Sequence, residues 1–142
     1  MTAVLATGCS DDGGTAVDPI TIEDFVGSWS ATSQVYTNDG DPSETFDLIA
    51  NGGETRMTVL SHGGARTWIE FGTFSDEWDA QLTVSGNTLT STPVEASRPV
   101  RHYTFVHDGD TVTLTDTDEA FDFTLTGADP VPAAMVVVLE RQ

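Results

Sequence analysis

FVGSW, residues Phe25 to Trp29, decides how the rest of the chain is read. It joins two unlike stretches. Before it, Thr21-Ile22-Glu23-Asp24 offers a helix-capping residue followed by carboxylates, which suit a helix N-terminus. After it, apolar and polar residues alternate with period two between clusters of Gly, Asn, Asp and Pro. The stretch is therefore a junction. A short helical turn packs Phe25 back onto a core, and Trp29 opens the first strand.

The strand pattern runs to the end of the chain. Trp29, Ala31, Ser33 and Val35 share one face of the first predicted strand, which Asn38-Asp39-Gly40-Asp41-Pro42 breaks. Phe46 and Leu48 alternate with Thr45, Asp47 and Ile49, and the pairs Met57 with Val59 and Ile69 with Phe71 follow at the same spacing after turns. Trp78, Ala80, Leu82 and Val84 share a face, and Ser85-Gly86-Asn87 and Asp108-Gly109-Asp110 read as hairpin loops. Phe121, Phe123 and Leu125 continue the alternation, and the last run, Ala134 to Leu139, is apolar on both faces. Parallel crossovers need a dozen or more residues, so these short loops demand antiparallel pairing. The expectation is an all-β fold: an antiparallel up-and-down β-barrel of eight to ten strands with a short N-terminal helical turn. Closure removes the exposed edges of a meander. A two-sheet sandwich is the competing architecture. A transmembrane barrel does not fit, because the second face of most strands carries Thr, Asp, Glu and Ser.

A helical turn, then Gly27-Ser28-Trp29, then a meander ending near Arg141, resembles the lipocalin and wider calycin families, and bacterial lipocalin-like lipoproteins in particular. The resemblance implies a role in barrel closure for each of these residues. Gly27 would allow close chain approach at the closed end. Trp29 would plug that end, and Arg141 would lay its guanidinium across the indole, a contact of about 1 kcal/mol.

Five arginines face 23 carboxylates, lysine is absent, and the formal charge of the 142-residue chain is −18. Such a surface repels phosphate backbones, which excludes nucleic acid as a partner. The single cysteine, Cys9, permits no internal disulfide. It ends the stretch Ala3-Val4-Leu5-Ala6-Thr7-Gly8-Cys9 and precedes a small, polar tail, which resembles a bacterial lipoprotein signal. Three segments follow: 1–9, a partial signal segment ending at a lipidated Cys9; 10–19, a flexible acidic linker; and 20–142, a lipocalin-like barrel domain. The resemblance implies a lipid-anchored protein of the bacterial cell envelope, with Ser10 pointing to the outer membrane.

The inward aromatic and aliphatic residues admit two functions. Phe46, Met57, Ile69, Phe71, Trp78, Leu82, Phe121 and Phe123 could line a site for a small apolar ligand bound without covalent chemistry. Alternatively they fill the barrel, which then serves as an envelope module for protein or glycan, contacted through loops such as Asn38 to Ser43 and Glu95 to Pro99. Enzymatic activity is not expected. His62-Gly63-Gly64 has no G-X-S-X-G stretch to accompany it. No metal or cofactor is expected either: His102 and His107 fall on opposite strand faces, and the acidic turns lack EF-hand spacing.

Overall fold

The junction at Phe25 folds into a single 3-10 turn, η1 (Ile22–Phe25), in a computed structural model that describes residues 17–142. The expected signal segment, Cys9 and most of the linker lie outside the described residues. The Thr21 N–H donates to the Asp24 carboxylate at 2.7 Å, which stops the turn from unwinding at its start. Phe25 is fully buried and meets Phe105 edge to face, with centroids 5.2 Å apart.

Nine strands follow: β1 (Gly27–Asn38), β2 (Thr45–Asp47), β3 (Glu54–Val59), β4 (Gly64–Phe71), β5 (Phe74–Ser85), β6 (Thr88–Pro93), β7 (Arg101–Asp108), β8 (Thr111–Phe121) and β9 (Val131–Arg141). Each paired neighbour is antiparallel. The sheet closes because β1 pairs with β9, from Trp29 opposite Arg141 to Asn38 opposite Ala133. The ring β1-β3-β4-β5-β6-β7-β8-β9 is thus an eight-stranded barrel, and β2 is an extra strand on the far half of β1. One closed sheet replaces the sandwich as the architecture. Among the described residues no helix is long and apolar enough to cross a membrane.

Two bulges alter the alternation expected from sequence. Between Ala31 and Ser33 the β1–β9 register shifts, so that Thr32 is an extra residue. Before it, Trp29 points inward; after it, Gln34 and Tyr36 are buried, and Val35 turns outward beside the exposed Val136. The grouping of Val35 with Trp29 is corrected accordingly. A second shift between Asp116 and Glu119 on β8 lets both of these residues face the interior.

The strand expected to run through Leu125 ends instead at Phe121. Asp122 then accepts hydrogen bonds from the backbone of Thr124, Thr126 and Gly127 and folds the chain into a loop. Leu125 has a φ of 55° there and is half exposed. Likewise Leu48 is buried from a turn after the short β2, not from a strand.

Candidate functional site

The two ends of the barrel differ, and the difference defines the site. At the closed end the Trp29 indole N–H donates to the Phe25 carbonyl at 2.7 Å. Arg141 lies over the Trp29 ring with its guanidinium carbon 4.3 Å from the centroid. The same guanidinium donates to the carbonyls of Asp24 (2.9 Å) and Val26 and to the Asp110 carboxylate (3.0 Å). Gly27 adopts a φ of 131°, and a Cβ there would stand 2.8 Å from Arg141 Nη1. His107 completes the plug, edge-on to Phe25 and Trp29, with Nε2 3.0 Å from the Asp24 carbonyl oxygen.

Above this plug a cavity of about 940 Å³ opens toward the other end. Met57, Leu82, Leu89, Leu114, Val137 and Leu139 form its apolar floor. Thr67, Ile69, Phe71 and Trp78 share their strand faces with the buried Ala65, Ala80 and Leu82, yet are only half-buried, because they border the cavity.

Of the ligand-lining candidates named from sequence, Met57, Ile69, Phe71, Trp78, Leu82 and Phe121 border this space. Phe46 and Phe123 are not among its lining residues. They pack against Phe121 instead: Phe46 stacked at 5.2 Å, Phe123 edge-on at 5.0 Å. Phe46 also meets Phe71, and Tyr36 stacks on Phe121 at 4.2 Å, so the aromatic residues collect in one cluster toward the open end.

The wall formed by β1, β7 and β8 is polar. Gln34 accepts from the Thr55 hydroxyl at 2.6 Å and donates to Tyr36 Oη at 2.7 Å. Arg101 donates to Glu119 at 2.9 Å and to the Asp118 carbonyl, and its Nη1 is 3.6 Å from Asp116 Oδ2. Burial pushes the Tyr36 hydroxyl up to about 12, against the pull of the Gln34 hydrogen bond. Burial also raises Tyr103, with the Asp116 carboxylate adding to it. It raises Glu119 too, although Arg101 opposes the shift. Both phenols therefore stay protonated across the physiological range. Tyr103 and Arg101 carry a readable signal, since they share strand parity with the buried Phe105. Asp116 carries the same signal, after the buried Val112 and Leu114; Glu119 carries none, because three residues beyond Asp116 on a regular strand it would face the opposite way.

At the mouth, Arg98 ties the β6–β7 loop to β5. It donates to both Asp76 oxygens, at 2.6 and 2.9 Å, and lies 5.1 Å from the Trp78 ring centre. That pair holds the Asp76 carboxyl below the usual carboxylate range. The acidic turns are committed elsewhere: Asp110 pairs with Arg141, and Asp122 folds its own loop.

No family model, no curated protein and no solved structure matches the chain. Geometry alone therefore gives the fold: a closed antiparallel eight-stranded barrel, compatible with a lipocalin-like fold. Chemically, the interior offers apolar burial over most of its surface and hydrogen bonding along one wall.

Proposed function

We infer that this protein is a lipocalin-like binding barrel that takes up one small, mainly apolar ligand through its open end, without covalent chemistry. One observation carries the reading: an apolar-floored cavity of about 940 Å³, sealed at one end by the Trp29–Arg141 plug and open at the other. A space of this size lies within the range of ligand pockets, roughly 300–1,000 Å³. A barrel filled by its own side chains would need the aromatics inside. Instead Phe46, Phe71 and Phe121 gather toward the mouth.

The envelope location rests on the Ala3 to Cys9 stretch and is part of the same proposal.

The first test is displacement of a neutral fluorescent apolar probe from purified protein by 1-dodecanol, with native mass spectrometry for co-purifying lipid. Saturable one-to-one displacement supports the reading. Absence of probe binding and of bound lipid sinks it and leaves a barrel that works through its loops. For location, Cys9→Ser in the precursor should release the protein from membranes, and continued retention would count against the lipid anchor.

A further inference from the structure

The polar wall is unbalanced in charge. Among the described residues Arg101 is the one cation in it, and Asp116 and Glu119 both face that cation. Arg101 is already engaged by Glu119 and by the Asp118 carbonyl. Asp116 is 2 % exposed, and its Oδ2 has no hydrogen-bond partner, while Oδ1 accepts from the Asp118 N–H. Asp116 follows Val112 and Leu114 on the inward face of β8 and lies behind Arg101; of the two carboxylates, Glu119 is the one that lines the cavity. Two carboxylates thus share one guanidinium in a largely dry site, which leaves a negative charge uncompensated, and a donor with positive charge is what offsets it. Tyr36, Tyr103 and Phe121 supply aromatic surface on the same side of the cavity, and such surface favours a cation further. The cluster sits above the apolar floor, nearer the mouth, so a ligand entering tail-first would bring its head to it.

We propose that the cavity selects a cationic amphiphile, an alkyl chain bearing a protonated amine, with the amine against Glu119, the chain on the apolar floor, and Asp116 behind the wall drawing on the charge of Arg101. This rests on the binding reading above and names its ligand class. A carboxylate head would be the third negative charge beside a single arginine, and a neutral head would leave the imbalance in place. The overall charge of −18 steers ligands in the same sense.

The experiment compares dodecylammonium, 1-dodecanol and dodecanoate as competitors of a neutral fluorescent probe at neutral pH. Salt is held at about 0.5 M, so that surface fields are screened within about 4 Å. Dodecylammonium should bind about tenfold more tightly than dodecanol, the size of one charge-assisted contact, and dodecanoate more weakly than either. Glu119→Gln and Asp116→Asn should each cut that preference several-fold, read as the ratio of dodecylammonium to dodecanol affinity within each variant. Glu119→Gln keeps the Arg101–Asp116 pair and so carries the test if Asp116→Asn does not fold. Equal binding of all three, tighter dodecanoate, or an amine preference that survives in the folded variants overturns the proposal while the cavity reading stands. Failure of all three to displace the probe overturns both.

Discussion

Arg141 holds three pieces of the closed end together: the indole of Trp29, the carbonyls that end η1, and the Asp110 hairpin. Arg141→Met keeps the bulk but leaves those carbonyls without their donor. We expect a loss of about 2–4 kcal/mol in urea unfolding, from one cation–π contact and charge-assisted hydrogen bonds. A loss under about 0.5 kcal/mol would mean that the indole seals the end unaided. Gly27→Ala should cost about 1–3 kcal/mol, since its φ of 131° is strained for any side chain. These residues were legible because a short motif and the strand order brought them together. The place of Glu119 beside Arg101 and Asp116 was not, because the bulge after Asp116 reverses the parity on which a sequence reading depends. Glu119 gives a pH signature. Its carboxyl lies above its ordinary value in the fold, so the folded protein binds that proton more tightly than the unfolded chain. Its contribution therefore falls as pH rises from about 4.3 through the raised folded value. Thermal melts of Glu119→Gln should lack that decline; an unchanged slope would assign it to other groups.

At the scale of elements, both unforeseen features follow from local backbone events. Thr32 adds one residue to β1, which puts Gln34 and Tyr36 inside and turns Val35 outward. Asp122 gathers the next amides into a loop, so the alternation through Phe123 and Leu125 continues in sequence but not in space. Period two was legible where the ladder is regular, as in β4 and β5, and misleading where a bulge or an Asx turn intervenes. The loop from Val94 to Val100 offers a test at this scale. Arg98 is its side-chain tie to β5, bidentate to Asp76 and over the Trp78 ring, beside the Val94 N–H to Asp79 carbonyl bond. Both partners of this ion pair are about one-third exposed, so it adds little to global stability. Arg98→Ala should therefore shift the unfolding free energy by less than about 1 kcal/mol. Hydrogen exchange at residues 94–100 should nevertheless quicken, and bound probe should leave several-fold faster. Unchanged exchange would show that the loop is held by its own turn, through the Arg98 N–H to Glu95 carbonyl bond.

For the whole molecule, the deciding question is whether the barrel interior is core or container, and the alternation pattern is the same for both. Side-chain periodicity reports which way a residue points, not how far away the opposite wall stands. The cavity separates the two alternatives, and a single enlargement can read it. Ile69 points inward on β4 toward the mouth, opposite Asp76 and between Thr67 and Phe71, and is only half-buried. In a packed core, Ile69→Trp would force neighbours off their rotamers and cost about 1–3 kcal/mol. In a container the indole has room, so stability should change by less than about 1 kcal/mol. The cost appears instead in binding: dodecanol affinity should fall at least about tenfold as the indole occupies the ligand's volume. Equilibrium unfolding and probe displacement on the same preparation give both numbers. Destabilisation with unchanged binding would mark Ile69 as core and remove the container reading. Retained stability with lost binding is the pairing that a filled barrel cannot produce.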